Sequence, residues 1–382
     1  MDLLSFWLVI VALILFIAYA FLIRFYKKGW DECPVFQSDE NFQPSTKVTV
    51  IVPARNEEKN IPACLASLQK QTYPSLLLEV LVINDHSEDG TAEAVLSFPM
   101  SNVRLVQLKD FVVDEINAYK KKAIAVGINQ STGDWILTTD ADCTAGPDWI
   151  KEIMAYKERT SASFIAAPVK LKPKDNFLEV FQTLDFLTLQ GITAAATHRN
   201  LHSMCNGANL AYSKEAFHAV NGFEDIDGIA SGDDMLLMHK IKSKFPGQTA
   251  YLKSQHAIVS TQPAHTWKAF WNQRIRWSSK ADKYQDKKIF RILMLVYFFN
   301  LILLLLFFMT RWNFDAFLVA ILLVLCKTVV EYPFVNAIAK FFGQGRLMFY
   351  FIFLQPFHLL YVVIAGFLGK FGKYEWKGRK VK

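Results

Sequence analysis

The feature that most constrains this chain is where its apolar residues fall. Residues 3–23 carry no charged side chain, and at 1.5 Å of helical rise per residue such a run crosses a hydrocarbon layer of ~30 Å. Three more apolar runs lie at the other end, at residues 292–310, 316–339 and 347–369. The first and third are uncharged; the second carries Lys327 and Glu331, four apart and able to pair across one helical turn. Between residues 24 and 290 the composition is that of a soluble domain. The expected organisation is an anchor at 1–24, a domain at 25–264, an amphipathic interfacial region at 265–290, and a membrane bundle with a basic tail at 291–382.

Charge sets the expected orientation. Only Asp2 precedes the first run, whereas Arg24, Lys27 and Lys28 follow it. Basic residues stay on the cytosolic side, so the N-terminus is expected outside and the domain in the cytosol. A signal peptide would have a basic start, a shorter apolar part and a small-residue cleavage site. The net charge is +7 and the pI about 9.0, but the basic residues gather at 24–28, 280–291 and 370–382, beside the apolar runs. That placement serves topology and anionic lipid and points away from nucleic acid. Three full crossings after the domain would put the basic tail outside. Gln355 and Pro356 interrupt the last run, so a broken or re-entrant segment and a cytosolic tail are expected, with two to three C-terminal spans. The five cysteines (Cys33, Cys64, Cys143, Cys205, Cys326) show no CxxC spacing, which fits a reducing compartment and argues against zinc. Cys205 reads as a packing residue.

Within the domain, strands and helices alternate. KVTVIVP at 47–53, EVLVIN at 79–84, residues 103–108 and residues 135–139 are β-branched or apolar runs. Helical spacing follows Asn60, spans 92–96 and 119–129, and resumes after Gly146-Pro147. This alternation predicts βαβ units in a mostly parallel sheet covered on both faces. Ligands of such sheets bind beyond the carboxyl ends of the strands. Polar clusters stand at those ends: Ala54-Arg55-Asn56-Glu57, Asp85-His86-Ser87 and Asp140-Ala141-Asp142. Asp140 and Asp142, two apart at a strand end, can share one divalent ion, and oxygen ligands favour Mg²⁺ or Mn²⁺. Such an ion would neutralise a departing diphosphate. An isolated D-x-D is only a polar turn; its place beside the other clusters makes it a candidate metal site.

Six segments in order, VPARNEE, INDHSEDGT, KKKAIAVGINQSTGDWILTTDAD, CNGANLAY, SGDDM and QRIRW, resemble the family 2 glycosyltransferases, inverting enzymes of the GT-A fold. The resemblance covers residues 47 to about 280. It implies an α/β GT-A domain that binds a nucleotide-sugar. Pro53, Ala54, Arg55 and Glu57 resemble the family's first nucleotide-binding turn, and Asp85 its base-recognising carboxylate. An acid there can accept the imide N–H of uracil, which favours a UDP-sugar, although guanine also offers a donor. Lys122 resembles the lysine of the K-A-x-A-x-N stretch near the donor; Lys120 and Lys121 adjoin it, and a solvated helix lysine is the alternative. Asp233 and Asp234 resemble the acidic pair whose second member is the general base, so Asp234 is the expected base and Asp233 its support. Two acids at a helix start also suit the helix dipole.

Gln273, Arg276 and Trp277 stand at i, i+3 and i+4 and share one helical face. They resemble the Q-x-x-R-W motif of membrane-bound members, where arginine meets diphosphate and tryptophan lies at the acceptor. Trp267, Phe270, Trp271 and Ile275 occupy another face, which either rests on the membrane surface or packs into a core. Asn206, Gly207, Ala208 and Asn209 resemble the short strand bordering the acceptor pocket, and Trp376-Lys377-Gly378-Arg379 resembles a tail motif of lipid-glycosylating relatives.

The expected function is therefore metal-dependent, inverting sugar transfer to a membrane lipid or lipid-linked acceptor at a bacterial inner membrane. A processive polysaccharide synthase is the alternative within enzymes, although a polymer channel usually demands more helices than this chain has. A non-catalytic scaffold is expected to lack Asp142 or Asp234, and both are present.

Overall fold

The computed structural model describes residues 3–112, 116–229, 232–279, 287–309 and 314–371, with the backbone of 374–376 and 379–381. Residues 280–286 of the second basic cluster, Ser231 of the SGDDM segment and Lys377-Gly378 of the tail motif lie outside the described residues.

The chain opens with α1 (Leu3–Glu32), β1 (Val48–Ala54), α2 (Ile61–Gln69), β2 (Leu78–Asn84), α3 (Thr91–Leu96), β3 (Val103–Gln107), α4 (Tyr119–Gln130) and β4 (Trp135–Thr138). It continues through β5 (Thr144–Ala145), α5 (Trp149–Arg159), β6 (Phe164–Ala166), β7 (Val169–Leu171), α6 (Phe177–His198), β8 (Leu210–Ser213), α7 (Lys214–Ala219) and α8 (Met235–Lys244). β9 (Thr249–Tyr251), β10 (Val259–Thr261) and α9 (Trp267–Ser278) lead into α10 (Lys287–Phe308), α11 (Phe314–Phe341), α12 (Phe351–Phe371), and a hairpin of β11 (Tyr374–Trp376) and β12 (Arg379–Val381).

Seven strands form one sheet in the order β3-β2-β1-β4-β8-β6-β9. β1 to β4 are mutually parallel as expected, while β8 runs antiparallel to both β4 and β6. Val48, Val50, Ile51 and Val52 of β1 are all buried, because helices cover both faces and a β-branched run without alternation suits a strand in that setting. Register positions the site: Ala54 pairs with Asn84 and Ile51 with Thr138, so the turns after β1, β2 and β4 emerge along one edge. A smaller sheet, β5-β10-β7, flanks the domain.

Among the described residues, four helical segments, Leu3–Glu32, Lys287–Phe308, Phe314–Phe341 and Gly345–Phe371, are long and apolar enough to cross a membrane. α1 continues past residue 24, and α6, from inside the domain, packs against α1 and α11. Gly191 permits this approach: a Cβ there would stand 2.0 Å from Cδ1 of Ile338. Inside the helices, Lys327 pairs with Glu331 at 2.8 Å, as the spacing predicts. Lys327 also donates to Gln355 (2.7 Å), Gln355 to Glu331 (2.8 Å), and the Tyr19 hydroxyl to Glu331. Buried charge is tolerated among these helices because each member is partnered.

α12 returns to the domain at both ends. Just before it, Gln344 donates to the Leu171 carbonyl (2.7 Å), and near its end a Cβ at Gly369 would stand 2.3 Å from that of Ser278. The tail strand β11 lies beside α9. α12 also covers the aromatic face of α9. Phe270 and Ile275 are buried, and the Phe270 ring lies 5.6 Å from Tyr361 and 6.1 Å from Phe181. Within that face, Phe270 and Ile275 thus pack into a core, while Trp271 is half-buried and Trp267 is left 45% exposed.

Candidate active site

One cavity of about 2400 Å³ runs along the strand-end turns and on between the helices. At its sheet end, Pro53, Ala54, Arg55, Glu57 and Asp85 line it. Arg55 ties two turns together, donating from Nη1 to the carbonyls of Asp85 and His86, both at 3.1 Å. Glu57 is buried and accepts from Asn60 Nδ2 at 2.7 Å. Asp85 is 3% exposed and lies 3.0 Å from His86 Nδ1.

Three consecutive lysines open α4, and helical geometry sends them to three places. Lys120 enters the cavity, with Nζ 2.7 Å from Asp140 Oδ1 and 3.3 Å from Asp233 Oδ2. Burial by itself would lower its ammonium; Asp140 and Asp233, with Asp234 behind them, reverse this and hold it above the ordinary lysine value. Lys121 is buried and donates to the carbonyls of Ile226 (2.7 Å) and Ile229 (2.6 Å). Lys122 is exposed and lines a separate cavity of about 610 Å³. The structure therefore does not bring Lys122 to the acidic cluster; Lys120 stands there.

Asp234 caps α8. Its Oδ1 accepts from the Met235 amide (2.7 Å) and its Oδ2 from the Gly207 amide (3.2 Å). Gly207 allows this crowding, since a Cβ there would stand 3.1 Å from Asp233 Oδ2 and 3.3 Å from Lys120 Nζ. Asp140, Asp142 and Cys143 place their candidate ligand atoms within 4.8 Å of one another. Burial, then Asp142 and Asp140, push the Cys143 thiol well above its ordinary value, and Asp140 and Asp142 supply the oxygen donors of the group. Hard oxygen donors fit Mg²⁺ or Mn²⁺.

The family description "Glycosyl transferase family group 2" matches residues 135–366, more than half of the chain, and "Glycosyl transferase family 2" matches residues 49–220. The chain is a family 2 glycosyltransferase. The probable glycosyltransferase YdaM of Bacillus subtilis is 25% identical over 63% of this chain and 56% of its own length. The poly-beta-1,6-N-acetyl-D-glucosamine synthase of Staphylococcus epidermidis is 24% identical over 60% and 53%, and an N-acetylglucosaminyltransferase of Rhizobium meliloti 26% over 69% and 62%. The chain thus spans little more than half the length of these relatives. Among solved structures, the mannosyltransferase PcManGT of Pyrobaculum calidifontis, in complex with GDP-Man and Mn²⁺, is similar with a TM-score of 0.56 at 18% identity, covering 93% of this chain and 99% of that one. That likeness is one of fold.

In this glycosyltransferase Asp140, Asp142, Asp233, Asp234, Asn206 and Gly207 line the same cavity, as do Gln273, Arg276 and Trp277 of α9. Asn209 does not: its side chain is fully buried, accepting from Trp149 Nε1 (2.9 Å) and donating to the carbonyls of Pro168 and Ala257 (2.8 Å each). Asn206 to Asn209 form a turn before β8 rather than a strand, closed by the Asn209 amide donating to the Asn206 carbonyl at 3.1 Å. Arg274, between the motif positions, escaped the sequence reading. It is 2% exposed, 2.9 Å from Asp185 of α6, with its guanidinium 4.5 Å from the Trp277 ring centre, 5.2 Å from that of Phe270 and 5.6 Å from that of Tyr361. No local signal marks it, since its counter-ion lies on another helix.

Proposed function

We propose that this glycosyltransferase moves a sugar from a UDP-sugar, with inversion, to a lipid or lipid-linked acceptor reached from the bilayer. The observation that carries the reading is the continuity of one cavity from the strand-end acids to residues of α10 and α12 such as Leu293, Tyr297 and Val362. A soluble donor entering at the sheet and an apolar acceptor entering between helices would meet where the carboxylates stand. Asp85 would accept the uracil imide. Asp140 and Asp142 would hold Mg²⁺ or Mn²⁺, which when bound neutralises charge on the leaving diphosphate. Lys120 and Arg276 would add cationic donors there, the guanidinium in a bidentate manner. Asp234 would take the acceptor hydroxyl proton as that oxygen attacks the anomeric carbon from the face opposite the diphosphate. Trp277 would border the acceptor.

With Arg24, Lys27 and Lys28 at the inner end of α1, the catalytic domain would be cytosolic and the N-terminus outside, in a bacterial inner membrane. A second reading, repeated transfer to a growing polymer, is favoured by the relatives named poly-beta-1,6-N-acetyl-D-glucosamine synthases. The two separate on the product. Membranes carrying the full chain are incubated with radiolabelled UDP-sugars and Mn²⁺ and then extracted with organic solvent. Label in an extractable glycolipid is expected, absent with chelator and in Asp142→Asn. High-molecular-weight polymer as the main product would overturn the lipid acceptor, and full activity in Asp142→Asn would overturn the metal assignment.

A further inference from the structure

The turn after β2 contains a histidine where the backbone calls for glycine. His86 has φ +53°, in the left-handed region that side chains other than Asn, Asp and His rarely adopt. Its ring is not idle there. Nδ1 lies 3.0 Å from Asp85 Oδ1, and since a carboxylate only accepts, the hydrogen sits on Nδ1 and the ring donates. The other side of the imidazole meets the Tyr119 ring edge-on, with centres 5.6 Å apart and planes at 84°. Arg55 clamps the carbonyls of both Asp85 and His86, and Ser87 Oγ accepts from the Asn56 amide at 3.0 Å. The turn is therefore tied from the β1 side while His86 holds the carboxylate from its own. Asp85 and Tyr119 both line the cavity.

We infer that His86 is a positioning residue: it aims the Asp85 carboxylate at the imide of a uracil base and thereby sets the preference for uridine over cytidine nucleotides. This rests on the UDP-sugar reading above. Uracil presents N3–H, a donor, to a carboxylate; cytosine presents a bare N3, an acceptor, and is repelled. Discrimination of this kind depends on a carboxylate held at a fixed angle, because a hydrogen bond weakens steeply off its axis. A carboxylate free to rotate takes water as readily as either base. A donated hydrogen bond leaves the carboxylate further acceptor sites, so positioning by His86 and recognition by Asp85 are compatible.

The test uses the full-length protein in detergent with Mn²⁺, titrated calorimetrically with UDP and with CDP. Wild type is expected to prefer UDP. His86→Gly, which suits the left-handed backbone, should remain folded yet bind UDP about tenfold more weakly, the size of one lost charge-assisted contact, with its preference over CDP reduced alike. His86→Asn, whose amide tolerates the same backbone and can donate to Asp85, should keep much of the preference. A folded His86→Gly with an unchanged UDP-to-CDP ratio, beside a wild type that does prefer UDP, overturns the inference alone. Equal binding of UDP and CDP by wild type overturns the uridine reading and this inference with it.

Discussion

The ammonium of Lys120 stands 2.7 Å from Asp140 and bridges from there to Asp233 at 3.3 Å, so one cation joins the acids after β4 to those before α8. Lys120→Met leaves both carboxylates facing each other without it. Transfer should fall about 10²-fold, the usual cost of removing one group that stabilises developing negative charge. Lys122→Ala should leave the rate within about twofold, since surface changes rarely matter more. Initial rates of label transfer check both; a large loss in Lys122→Ala with none in Lys120→Met would return the donor role to Lys122.

Asp234 is held by two backbone amides and Asp233 by Lys120, which assigns them different work. Asp234→Asn should still bind UDP and lose transfer by ~10² to 10⁴, and Asp233→Asn should lose less. The reverse order would make Asp233 the base. Retention of the donor's anomeric configuration in the product, read by NMR, would remove inversion altogether.

Asp185 is the charge partner that keeps Arg274 inside the protein. Their side chains are only 10% and 2% exposed, so Asp185→Asn leaves a buried cation uncompensated, at a cost of about 3–5 kcal/mol. Arg274→Met combined with Asp185→Asn removes both charges and should recover most of that loss. Thermal unfolding of the three variants checks this: an Asp185→Asn protein as stable as wild type would show that the pair contributes nothing.

Glu79 yields a pH dependence. Burial alone would raise its carboxyl, but the Thr132 amide, the Thr49 and Thr132 hydroxyls and Arg104 outweigh this and hold it below the ordinary 4.5. A depressed folded value means that the stabilisation is complete above the ordinary value and disappears as pH falls through the folded one. At neutral pH Glu79→Gln should destabilise by about 2 kcal/mol, the scale of hydrogen bonds to a charged group. The gap between the two melting temperatures should close in acid below pH 4.5. A gap that persists there would assign the loss to shape.

The α/β class, the parallel core and the membrane-length helices were legible because each rests on a local pattern. β1 is a β-branched run, α4 has helical spacing, and α1 is an uncharged stretch. The acids at 85, 140, 142, 233 and 234 were legible as types at strand ends and a helix start. Lys120 was not distinguishable from Lys122, since nothing local says which of three adjacent lysines a helix will turn inward. Asn209 was misplaced because three partners distant in sequence hold its amide.

Sequence alone thus determined the parallel strands β1 to β4, which helices are apolar enough for a membrane, and which residue types stand at the sheet's edge, because periodicity and hydropathy act over neighbouring residues. Only the tertiary structure decided that Arg274 meets Asp185, that α12 returns to the domain at both ends, that Lys120 bridges two acidic clusters, and that His86 holds Asp85 in a left-handed turn. Most of these relations join residues from different elements, and the last depends on a backbone angle clamped from β1. Burial and charge select such partners only once the chain has packed.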